Sequence, residues 1–567
     1  MAIHETITLG SAVDIPGPPT ALRVVDGHGY DHPARDTQLV ALACALGAAD
    51  CGGKLSRNER SLIAAARQEK AVPTAVIDTT RAAIQRGCDP LGEVFYRLRP
   101  ADVRRATGTF YTPPPIVSSM VAWLLGHDVA RVVDPGCGSG RFAVAVARAR
   151  PDIPLVAIDA DPLATILTRG ALAALGVRNA RILHHDYLTV TLPRVTGATG
   201  YIANPPYVRH HGLSATTKAW AAAAAARVGI PVSGLSGLHS LFFLATALHA
   251  RPGDVGCFIT SAEWLDTQYG GTIRRLLTEQ LGVQGLTMID PEVTTFEDVM
   301  TTALITQFAV RSPVTSVSLR CTASASDIDL MLRSDETVCL AQMKASARWG
   351  PLMRKTPAHA AGAEGEPDVP LSAYARVHRG IATGANDYFV LSRARAANLG
   401  LLPWCRPVIT NAKEILTSGG VIRDTPERQV ILIPPRTIDR VAHPALDAYL
   451  VRGEEAQGGT PPIAGRYLPS HRSPWWYLGP AIAPAIVASY MARQAPVFAH
   501  NPDGLLLLNI GHGLYPHRPL SPAQLQAFTE HLNAHRGSLQ GQGRTYHGGL
   551  EKFEPREMEA IRIRVVE

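Results

Sequence analysis

The fold of this chain is indicated most clearly by the stretch VVDPGCGSG at residues 132–140. A β-branched run stands directly before a glycine-rich turn, and a helical stretch, Phe142–Arg150, follows. Glycines at such a turn let the backbone approach a ligand closely, and the unpaired N–H groups of the next helix point towards it. The spacing is GxGxG, which differs from the dinucleotide-binding GxGxxG and lacks the Lys-Ser/Thr of a P-loop. The turn residues predicted to border a ligand are Asp134, Gly136, Gly138 and Gly140.

Outward from this turn, short apolar runs alternate with helical stretches over residues 101–330. This alternation is typical of βαβ units and predicts an α/β fold with a Rossmann-like, doubly wound, mostly parallel sheet. In such a sheet the ligand binds outside the carboxyl ends of the strands. The predicted strands are Arg131–Val133, Leu155–Ile158, Ile182–Leu183, Tyr201–Ala203, Val255–Thr260, Leu286–Ile289 and Ala303–Val310.

Acidic residues end the next two predicted strands. Asp159 follows Asp134 by 25 positions, where a carboxylate can accept hydrogen bonds from both hydroxyls of a ribose. Asp186 ends the third strand and can accept a hydrogen bond from an adenine amino group. The alternative for Asp159 is a turn residue before Asp161-Pro162, and the alternative for Asp186 is an ordinary residue at the end of a strand. Ala160 and Tyr187, which directly follow these carboxylates, are predicted to line the same site.

The fourth predicted strand is followed by Asn204-Pro205-Pro206-Tyr207. Two consecutive prolines cannot continue a sheet ladder, so they predict a stiff loop at the carboxyl edge. That loop would hold an amide oxygen, the Pro205 carbonyl and an aromatic ring in a fixed relation. A simple turn would not require this tetrapeptide one strand beyond an adenosine-type site. These four residues are therefore predicted to be functional, and the family resemblance given next implies that they are catalytic.

Gly136–Gly140 together with Asn204–Tyr207 resembles class I S-adenosylmethionine-dependent methyltransferases that act on amino groups. With the upstream segment GTFYTPP at 108–114, the order of motifs is similar to the gamma group of N6-adenine DNA methyltransferases, the Taq-type modification enzymes. The resemblance covers residues 100–310 and returns at 380–389, GIATGANDYF, which is similar to the start of the family's target-recognition region. Asp134-Pro135-Gly136 has glycine where many relatives have alanine.

The resemblance implies S-adenosylmethionine as methyl donor and duplex DNA as partner. No metal is expected, because His512, His517 and His547 lack metal-ligand spacing. It places Tyr111, Thr112 and Pro113 against the methionine part of the cofactor and Phe296 against a flipped-out adenine. Asn204 and the Pro205 carbonyl would then accept the two N6 hydrogens of that base, whose lone pair is otherwise delocalised into the ring. Tyr207 would stack on it, and transfer would be direct, without a covalent intermediate.

The charge of the chain is unevenly distributed. Residues 1–340 hold equal numbers of basic and acidic side chains, whereas residues 341–567 hold 25 basic and 18 acidic ones and carry the whole net charge of +7. A basic C-terminal region favours a polyanionic partner. The candidates for DNA contacts there are Arg376, Arg379, Arg472, Trp475, Trp476, Arg493, Arg544 and Lys552.

Four regions are expected along the chain. They are a mainly helical region at 1–100, a catalytic domain at 101–330, a linker at 331–370 and an α/β target-recognition domain at 371–567.

The eight cysteines show no CxxC spacing and are expected to be reduced thiols. Neither a membrane-spanning run nor a secretory signal is visible. With the reduced thiols, this predicts a cytoplasmic protein, and the family resemblance implies a prokaryotic one. A monomer and a separate cognate restriction endonuclease are expected.

Four other functions compete with this interpretation. A protein glutamine-N5 methyltransferase also uses NPPY but lacks a large basic C-terminal domain, and a methyltransferase acting on RNA adenine N6 shares the catalytic motifs. A fused restriction-modification enzyme would need a nuclease in residues 1–100, where no paired acidic residues followed by ExK are found. A pure DNA-binding specificity subunit would not need an NPPY site.

Overall fold

The structure is a computed structural model. It describes residues 32–100, 103–104, 108, 111–289, 302–312, 314–322, 328–331, 336–353, 368–456, 461–492, 495–536, 543–546 and 550–564. The chain divides into two compact units, Met1–Arg354 and Lys355–Glu567.

A nine-stranded sheet forms the centre of the first unit, with the strand order β3-β2-β1-β4-β5-β7-β6-β8-β9. Strands β1 to β5 run parallel to one another, whereas β7 runs antiparallel to both β5 and β6. The doubly wound, mostly parallel fold predicted from the sequence is confirmed. The strands are β1 Val129–Pro135, β2 Leu155–Asp159, β3 Ala180–His184, β4 Ala198–Ala203, β5 Val255–Ser261, β6 Val283–Ile289, β7 Ala303–Ala309, β8 Ser316–Thr322 and β9 Thr337–Cys339.

The strand order reverses between β1 and β4, which are hydrogen-bonded neighbours with Val133 opposite Tyr201. Successive strands add to one side of β1 through β2 and β3, and to the other side through β4 and β5. The loops that leave β1 and β4 therefore diverge at their shared carboxyl edge and open a crevice between them. The glycine-rich turn and the NPPY loop both begin at this edge.

Helices cover both faces of the sheet, because alternate side chains of the strands point to opposite sides. Val132 belongs to the apolar core on one face and Val133 to the core on the other. Among the described residues, no helix has both the length and the apolar character needed to cross a membrane. The helices are α1 His32–Ala45, α2 Arg57–Ala66, α3 Thr74–Arg86, α4 Pro90–Leu98, α5 Pro114–Leu125, α6 Arg141–Ala149, α7 Pro162–Ala174, α8 Ala215–Val228, α9 Leu238–His249, α10 Gly271–Leu276, α11 Leu340–Ala345 and α12 Gly350–Met353.

The N-terminal helices share one of these cores with the sheet. Leu39 and Leu42 of α1 are fully or almost fully buried in the same cluster as Leu167 and Leu172 of α7. Residues 32–98 therefore pack as part of the sheet's own hydrophobic core. The elements β9, α11 and α12, which lie within the expected linker region 331–370, likewise belong to the first unit.

A buried ion pair joins the N-terminal helices to the sheet. Arg169 of α7 donates to Glu59 of α2 at 2.8 Å, and both side chains are at most 1% exposed. The remaining Arg169 donors reach carbonyl oxygens that include Gly53 at 2.9 Å and Ile182 at 3.0 Å. Burial alone would raise the pKa of Glu59, but hydrogen bonds from Ser56, Arg169 and Thr165 hold that pKa below its usual value. The Glu59 carboxylate is therefore charged in the folded chain.

Arg169→Met should destabilise the first unit by about 3–5 kcal/mol, because it leaves the Glu59 charge buried without its counter-ion. Urea unfolding followed by circular dichroism measures this free energy. Adding Glu59→Gln should recover most of the loss, since no uncompensated charge then remains. Arg150→Met removes one partner of the exposed Arg150–Asp152 pair and is the control. Equal stability of the two single variants would contradict this role for Arg169.

The second unit contains short strands in four sheets, together with short helices. Two four-stranded sheets have the orders β11-β19-β15-β17 and β12-β14-β13-β18, and smaller sheets pair β10 with β22 and join β16, β21 and β20. The strands are β10 Asp368–Pro370, β11 Ala375–Arg379, β12 Val390–Leu391, β13 Cys405–Ile409, β14 Val430–Leu432, β15 Ile486–Ala488, β16 Met491–Ala492, β17 Phe498–His500, β18 Leu506–Leu507, β19 His512–Pro516, β20 Arg544–Tyr546, β21 Leu550–Lys552 and β22 Arg562–Arg564. The helices are α13 Asn386–Phe389, α14 Arg393–Asn398, α15 Ala412–Leu416, α16 Pro444–Glu454, α17 Tyr467–Ser470, α18 Pro522–Ala534 and α19 Pro555–Glu559.

Candidate active site

The glycine-rich turn passes from β1 to α6 in a conformation that requires glycine. Gly138 has φ +56°, and no atom lies within 4 Å of the position that a Cβ would occupy there. Gly140 has φ +91°, and a Cβ at this position would lie 3.0 Å from the Thr168 side chain. The turn therefore packs tightly against α7 at Gly140 while it presents open space at Gly138, as a ligand cradle requires.

Asp134 holds the start of α6 against the end of β1. Its side chain is fully buried, and its Oδ2 accepts a hydrogen bond from the Ala143 N–H at 3.1 Å. Its Oδ1 has no hydrogen-bond partner among the described residues. Burial raises the pKa of Asp134 to about 8, despite the Ala143 hydrogen bond. Asp134 thus lies on the buried side of the turn, where it can hold the turn's orientation.

Asp159 connects the two loops that follow β1 and β2. Its Oδ2 accepts a hydrogen bond from the Gly138 N–H at 2.9 Å, and its Oδ1 accepts one from the Asp161 N–H, also at 2.9 Å. Burial raises the pKa of Asp159 to about 6, against the lowering effect of these hydrogen bonds. The side chain remains partly exposed, and the adjacent Ala160 is exposed. A carboxylate oxygen has two lone pairs, so the same group can hold the turn and accept from a ligand.

The residues after β3 take different positions. Asp186 is exposed, and its Oδ1 accepts a hydrogen bond from the Leu188 N–H at 3.0 Å. Tyr187 is 2% exposed, and its hydroxyl lies 2.9 Å from the Thr246 Oγ1 inside the apolar core. The structure therefore presents the Asp186 carboxylate at the sheet edge, whereas the Tyr187 ring packs in the interior.

The upstream segment Tyr111–Pro113 lies over the start of α6. Arg141 donates to the Thr112 carbonyl oxygen at 2.7 Å, and its guanidinium carbon lies 4.1 Å from the centre of the Tyr111 ring. The Tyr111 hydroxyl donates to the Ser139 Oγ at 3.4 Å. Pro113 caps α5. The structure thus brings this segment, predicted from the family resemblance alone, to the glycine-rich turn.

The NPPY loop is held at the same edge. Asn204 Nδ2 donates to the Thr112 Oγ1 at 3.1 Å, which orients the side-chain amide. Pro205 is buried and Pro206 is partly buried. The Tyr207 N–H donates to the Gly108 carbonyl oxygen at 3.1 Å, and burial raises the pKa of the Tyr207 hydroxyl.

Gly108 allows the upstream segment to approach this loop. It has φ +67°, and a Cβ there would lie 2.3 Å from the Tyr207 backbone nitrogen. Only glycine fits such an approach. Phe296, the predicted second partner of the base, lies in residues 290–301, outside the described residues.

His239 is a buried residue beside the NPPY loop that sequence reasoning missed. Its ring centre lies 6.3 Å from that of Tyr207 and 6.1 Å from that of Tyr269. Neither ring nitrogen has a hydrogen-bond partner among the described residues, and burial lowers its pKa to about 4. A lone histidine in the apolar stretch of α9 carries no pattern that would have indicated it. In the described part of the chain, no group of three or more His, Cys, Asp or Glu side chains is arranged for a metal ion.

Sequence reasoning also missed Asp89 and Arg141. Asp89 accepts hydrogen bonds from Ser139 at 2.7 Å and from Arg141 at 3.1 Å. The Asp89-Pro90 pair is a recognisable helix start, but that pattern does not reveal a contact 50 residues along the chain.

Part of the basic character of the second unit is engaged internally. Arg379 forms an ion pair with Glu554, and Lys552 pairs with the same carboxylate at 2.9 Å. Arg376 is exposed on β11. Arg493 and the side chain of Arg544, two further candidates for DNA contacts, lie outside the described part of the chain.

The aromatic cluster of the second unit is also held by local contacts. Arg472 donates to the Thr383 carbonyl oxygen at 2.9 Å, within the motif at 380–389. The Trp475 indole N–H donates to Glu454 at 3.1 Å. Trp475 and Trp476 are both only partly exposed. These side chains therefore shape the surface around the motif at 380–389.

The reversal of strand order, the glycine-rich turn after β1, the acidic residue after β2 and the NPPY loop after β4 define a class I methyltransferase, a class whose methyl donor is S-adenosylmethionine. Family models match the chain twice. Residues 118–228 match the methyltransferase small domain, and residues 359–567 match the C-terminal domain of the type II methyltransferase M.Eco57I.

The particular family follows from full-length relatives. The chain is 36% identical to the type II methyltransferase M.XamI of Xanthomonas campestris pv. amaranthicola, over 93% of this chain and 98% of that protein. It is 25% identical to M.AccI of Acinetobacter calcoaceticus, over 80% and 85% of the two chains. The fold is similar to that of the type IIL restriction-modification enzyme MmeI in complex with DNA, with a TM-score of 0.55, 12% identity, and coverage of 93% and 78%. The chain belongs to the type II methyltransferases, the DNA-modifying enzymes of restriction-modification systems.

The buried Asp134 should make stability depend on pH. Because its pKa rises from about 3.8 to about 8 on folding, the folded chain holds a proton that the unfolded chain has lost between these values. The free energy of unfolding should therefore fall as pH rises through this window, by at most about 1.4 kcal/mol per pH unit. Asp134→Asn should reduce this slope, as measured by urea unfolding at pH 5 to 8.5.

Asp128→Asn provides the control for this prediction, because it removes an exposed carboxyl just before the same strand. A slope reduced equally by both substitutions would show that burial of Asp134 is not its origin.

Proposed function

We propose that this chain methylates N6 of an adenine that is flipped out of duplex DNA at a specific site. The arrangement of the NPPY loop is the observation that carries the proposal. Asn204 is held by its amide nitrogen through Thr112 Oγ1, next to the rigid Pro205 carbonyl and the Tyr207 ring. Two fixed acceptors beside an aromatic ring suit an exocyclic amino group on a planar base.

The chemistry of the substrate requires such acceptors. The N6 lone pair of adenine is delocalised into the ring, so this nitrogen is a poor nucleophile. The Asn204 side-chain oxygen and the Pro205 carbonyl would bind its two hydrogens and favour a tetrahedral nitrogen. Tyr207 would stack on the ring, which is worth about 1–3 kcal/mol per base. Flipping the base out of the duplex costs a few kcal/mol, and these contacts offset that cost.

The residues at the edge of β1 and β2 fit S-adenosylmethionine, which supplies an electrophilic methyl group when it is bound. Gly138 leaves open space beside the N-terminus of α6, and the partly exposed Asp159 presents a carboxylate suited to ribose hydroxyls. We infer that Ala160 and Asp186 border the adenine half, and that Tyr111, Thr112 and Pro113 border the methionine half. Orientation of the two substrates is then the main contribution of the protein.

We further propose that residues 371–567 recognise the DNA target. Three observations support this: the excess of basic side chains after residue 340, the exposed Arg376 on β11, and the match of residues 359–567 to the C-terminal domain of a type II methyltransferase. We expect the enzyme to act as a cytoplasmic monomer that protects host DNA against a separate endonuclease of the same specificity.

Asn204→Ala should abolish methyl transfer while cofactor binding survives, because the acceptor for the base is lost and the cofactor contacts remain. Asp159→Ala should instead weaken cofactor binding. Transfer of tritiated methyl groups to duplex DNA measures the first effect, and calorimetry with S-adenosylhomocysteine measures the second. Asn179→Ala is the matched control, since Asn179 also makes one side-chain hydrogen bond, to the Ile153 carbonyl, but lies before β3. Normal turnover in Asn204→Ala would rule out the mechanism.

Mapping of modified bases in DNA from cells that express the chain tests the choice of base. N6-methyladenine at one recurring sequence is the expected result. N4-methylcytosine would overturn the assignment of adenine, and cleavage of unmodified DNA by the purified chain with magnesium would overturn the separate endonuclease.

DNA binding by the intact chain should weaken steeply with salt, because phosphate contacts release counterions. If Arg376 contacts a phosphate, Arg376→Gln should lower the slope of log affinity against log salt by about one. Fluorescence anisotropy with a duplex oligonucleotide over a range of salt measures both effects. Arg150→Gln changes an exposed arginine at the end of α6 and should leave the slope unaltered. Identical slopes for the two variants would exclude Arg376 from the DNA interface.

A further inference from the structure

Asp89, in the N-terminal helical region, receives hydrogen bonds from three positions. Its Oδ1 accepts from the Gly92 N–H at 2.9 Å and so caps α4. Its Oδ2 accepts from the Ser139 Oγ at 2.7 Å and from the Arg141 Nε at 3.1 Å. The Asp89 side chain is 12% exposed and that of Arg141 is 19% exposed. This ion pair is therefore largely shielded from water, where charge-assisted hydrogen bonds are strongest.

Arg141 carries this contact onward to the upstream segment. While its Nε faces Asp89, its Nη1 donates to the Thr112 carbonyl oxygen at 2.7 Å, and its plane lies against Tyr111. A planar guanidinium that makes both contacts has little freedom left. The Tyr111 hydroxyl is in turn directed to Ser139, which donates to Asp89.

Thr112 completes a continuous path to the NPPY loop, because its Oγ1 accepts the hydrogen bond from Asn204 Nδ2. The sequence of contacts is Asp89, Arg141, Thr112, Asn204. Each step is a hydrogen bond of 3.1 Å or less between described residues.

The packing around Asp89 shows that this arrangement is built closely. A Cβ at position 92 would lie 2.0 Å from the Tyr111 hydroxyl oxygen, 2.1 Å from Asp89 Oδ2 and 2.4 Å from the Ser139 Oγ. Glycine at 92 is thus required for these three polar groups to meet, although it costs helix propensity inside α4. This is an observation independent of the ion pair, and it points to the same junction.

We propose that Asp89 is a positioning residue of the methyltransferase site, which fixes the cofactor-binding segment Tyr111–Pro113 and, through Thr112, the orientation of Asn204. The inference rests on the proposed function for the roles of those residues. It assigns the N-terminal helices a place in the reaction: they complete the wall of the cofactor site.

Asp89→Asn tests the proposal while it preserves the fold of α4. Asparagine caps a helix as well as aspartate does, and its oxygen can still accept from Gly92. Its amide nitrogen cannot accept from Ser139 or Arg141. We expect kcat/KM for S-adenosylmethionine to fall by about 10- to 100-fold, the loss typical of a charge-assisted hydrogen bond. The dissociation constant of S-adenosylhomocysteine should rise, kcat should fall as well because Asn204 is misoriented, and Tm should stay close to that of the control.

Asp36→Asn is the matched control. Asp36 forms an ion pair of similar burial with Arg99, also within the N-terminal helical region, at 2.8 Å. It should leave cofactor binding and turnover unchanged. Equal losses in the two variants would overturn the proposal in favour of general destabilisation of the helices. Wild-type kinetics in Asp89→Asn would overturn it as well.

Gly92→Ala provides a second test with an opposite structural bias. Alanine forms helices more readily than glycine does, yet its Cβ would separate Tyr111, Asp89 and Ser139. The same kinetic loss without loss of helix supports the proposal, and unchanged kinetics would overturn it even if Asp89→Asn failed to fold.

Methyl incorporation is counted whichever base is modified, and S-adenosylhomocysteine binding is measured without DNA. A wild-type chain that modified another base would therefore refute the proposed function. The ratio of variant to wild type would still decide the role of Asp89.

Discussion

The reversal of strand order between β1 and β4 is the constraint on which the site depends. In a parallel sheet all carboxyl ends lie at one edge, and only where the order reverses do neighbouring loops diverge enough to leave a crevice. The glycine-rich turn begins on one side of this point and the NPPY loop on the other. The two substrates of a methyl transfer must meet in such a crevice, so the topology itself brings donor and acceptor together before any side chain acts.

The N-terminal helices contact the loops at this edge of the sheet. These helices are not attached by apolar packing alone. Arg169 and Glu59 form a fully buried ion pair, and separating the two charges inside the protein would destabilise the fold. A second polar junction, at Asp89, lies against the glycine-rich turn. His184 adds a third, with Nδ1 3.0 Å from the Ser56 Oγ and Nε2 3.0 Å from the Ala160 carbonyl oxygen. Polar contacts of defined geometry restrict the position of these helices against the loops after β1 and β2 more than apolar contacts would.

The sequence was informative wherever a function depends on a local pattern. The turn at 136–140, Asp159 and the NPPY loop are each continuous or end a strand, so spacing alone placed them at one edge. Asp89 and Arg141 could not be found in this way, because they lie 52 residues apart and no local sequence pattern indicates that they are in contact. His239 is hidden for the opposite reason: its pKa is lowered by apolar surroundings, which exist only after folding. The position of the Tyr187 ring in the core likewise depends on Thr246 of α9, which follows the next strand along the chain.

The net charge of the second unit does not identify which of its arginines contact DNA. A net excess of basic side chains attracts DNA, but each arginine can serve either the phosphate backbone or the protein itself. Arg379 is paired with Glu554, and Arg472 holds the carbonyl oxygens of the motif at 380–389. The excess therefore favours a polyanionic partner, but Arg379 and Arg472 also serve contacts within the unit. A protein reads the DNA sequence through hydrogen bonds to base edges, whereas its phosphate contacts only position it on the duplex. Target specificity in this enzyme should accordingly depend on side chains whose partners are bases, and the sign of the unit's charge carries no information about them.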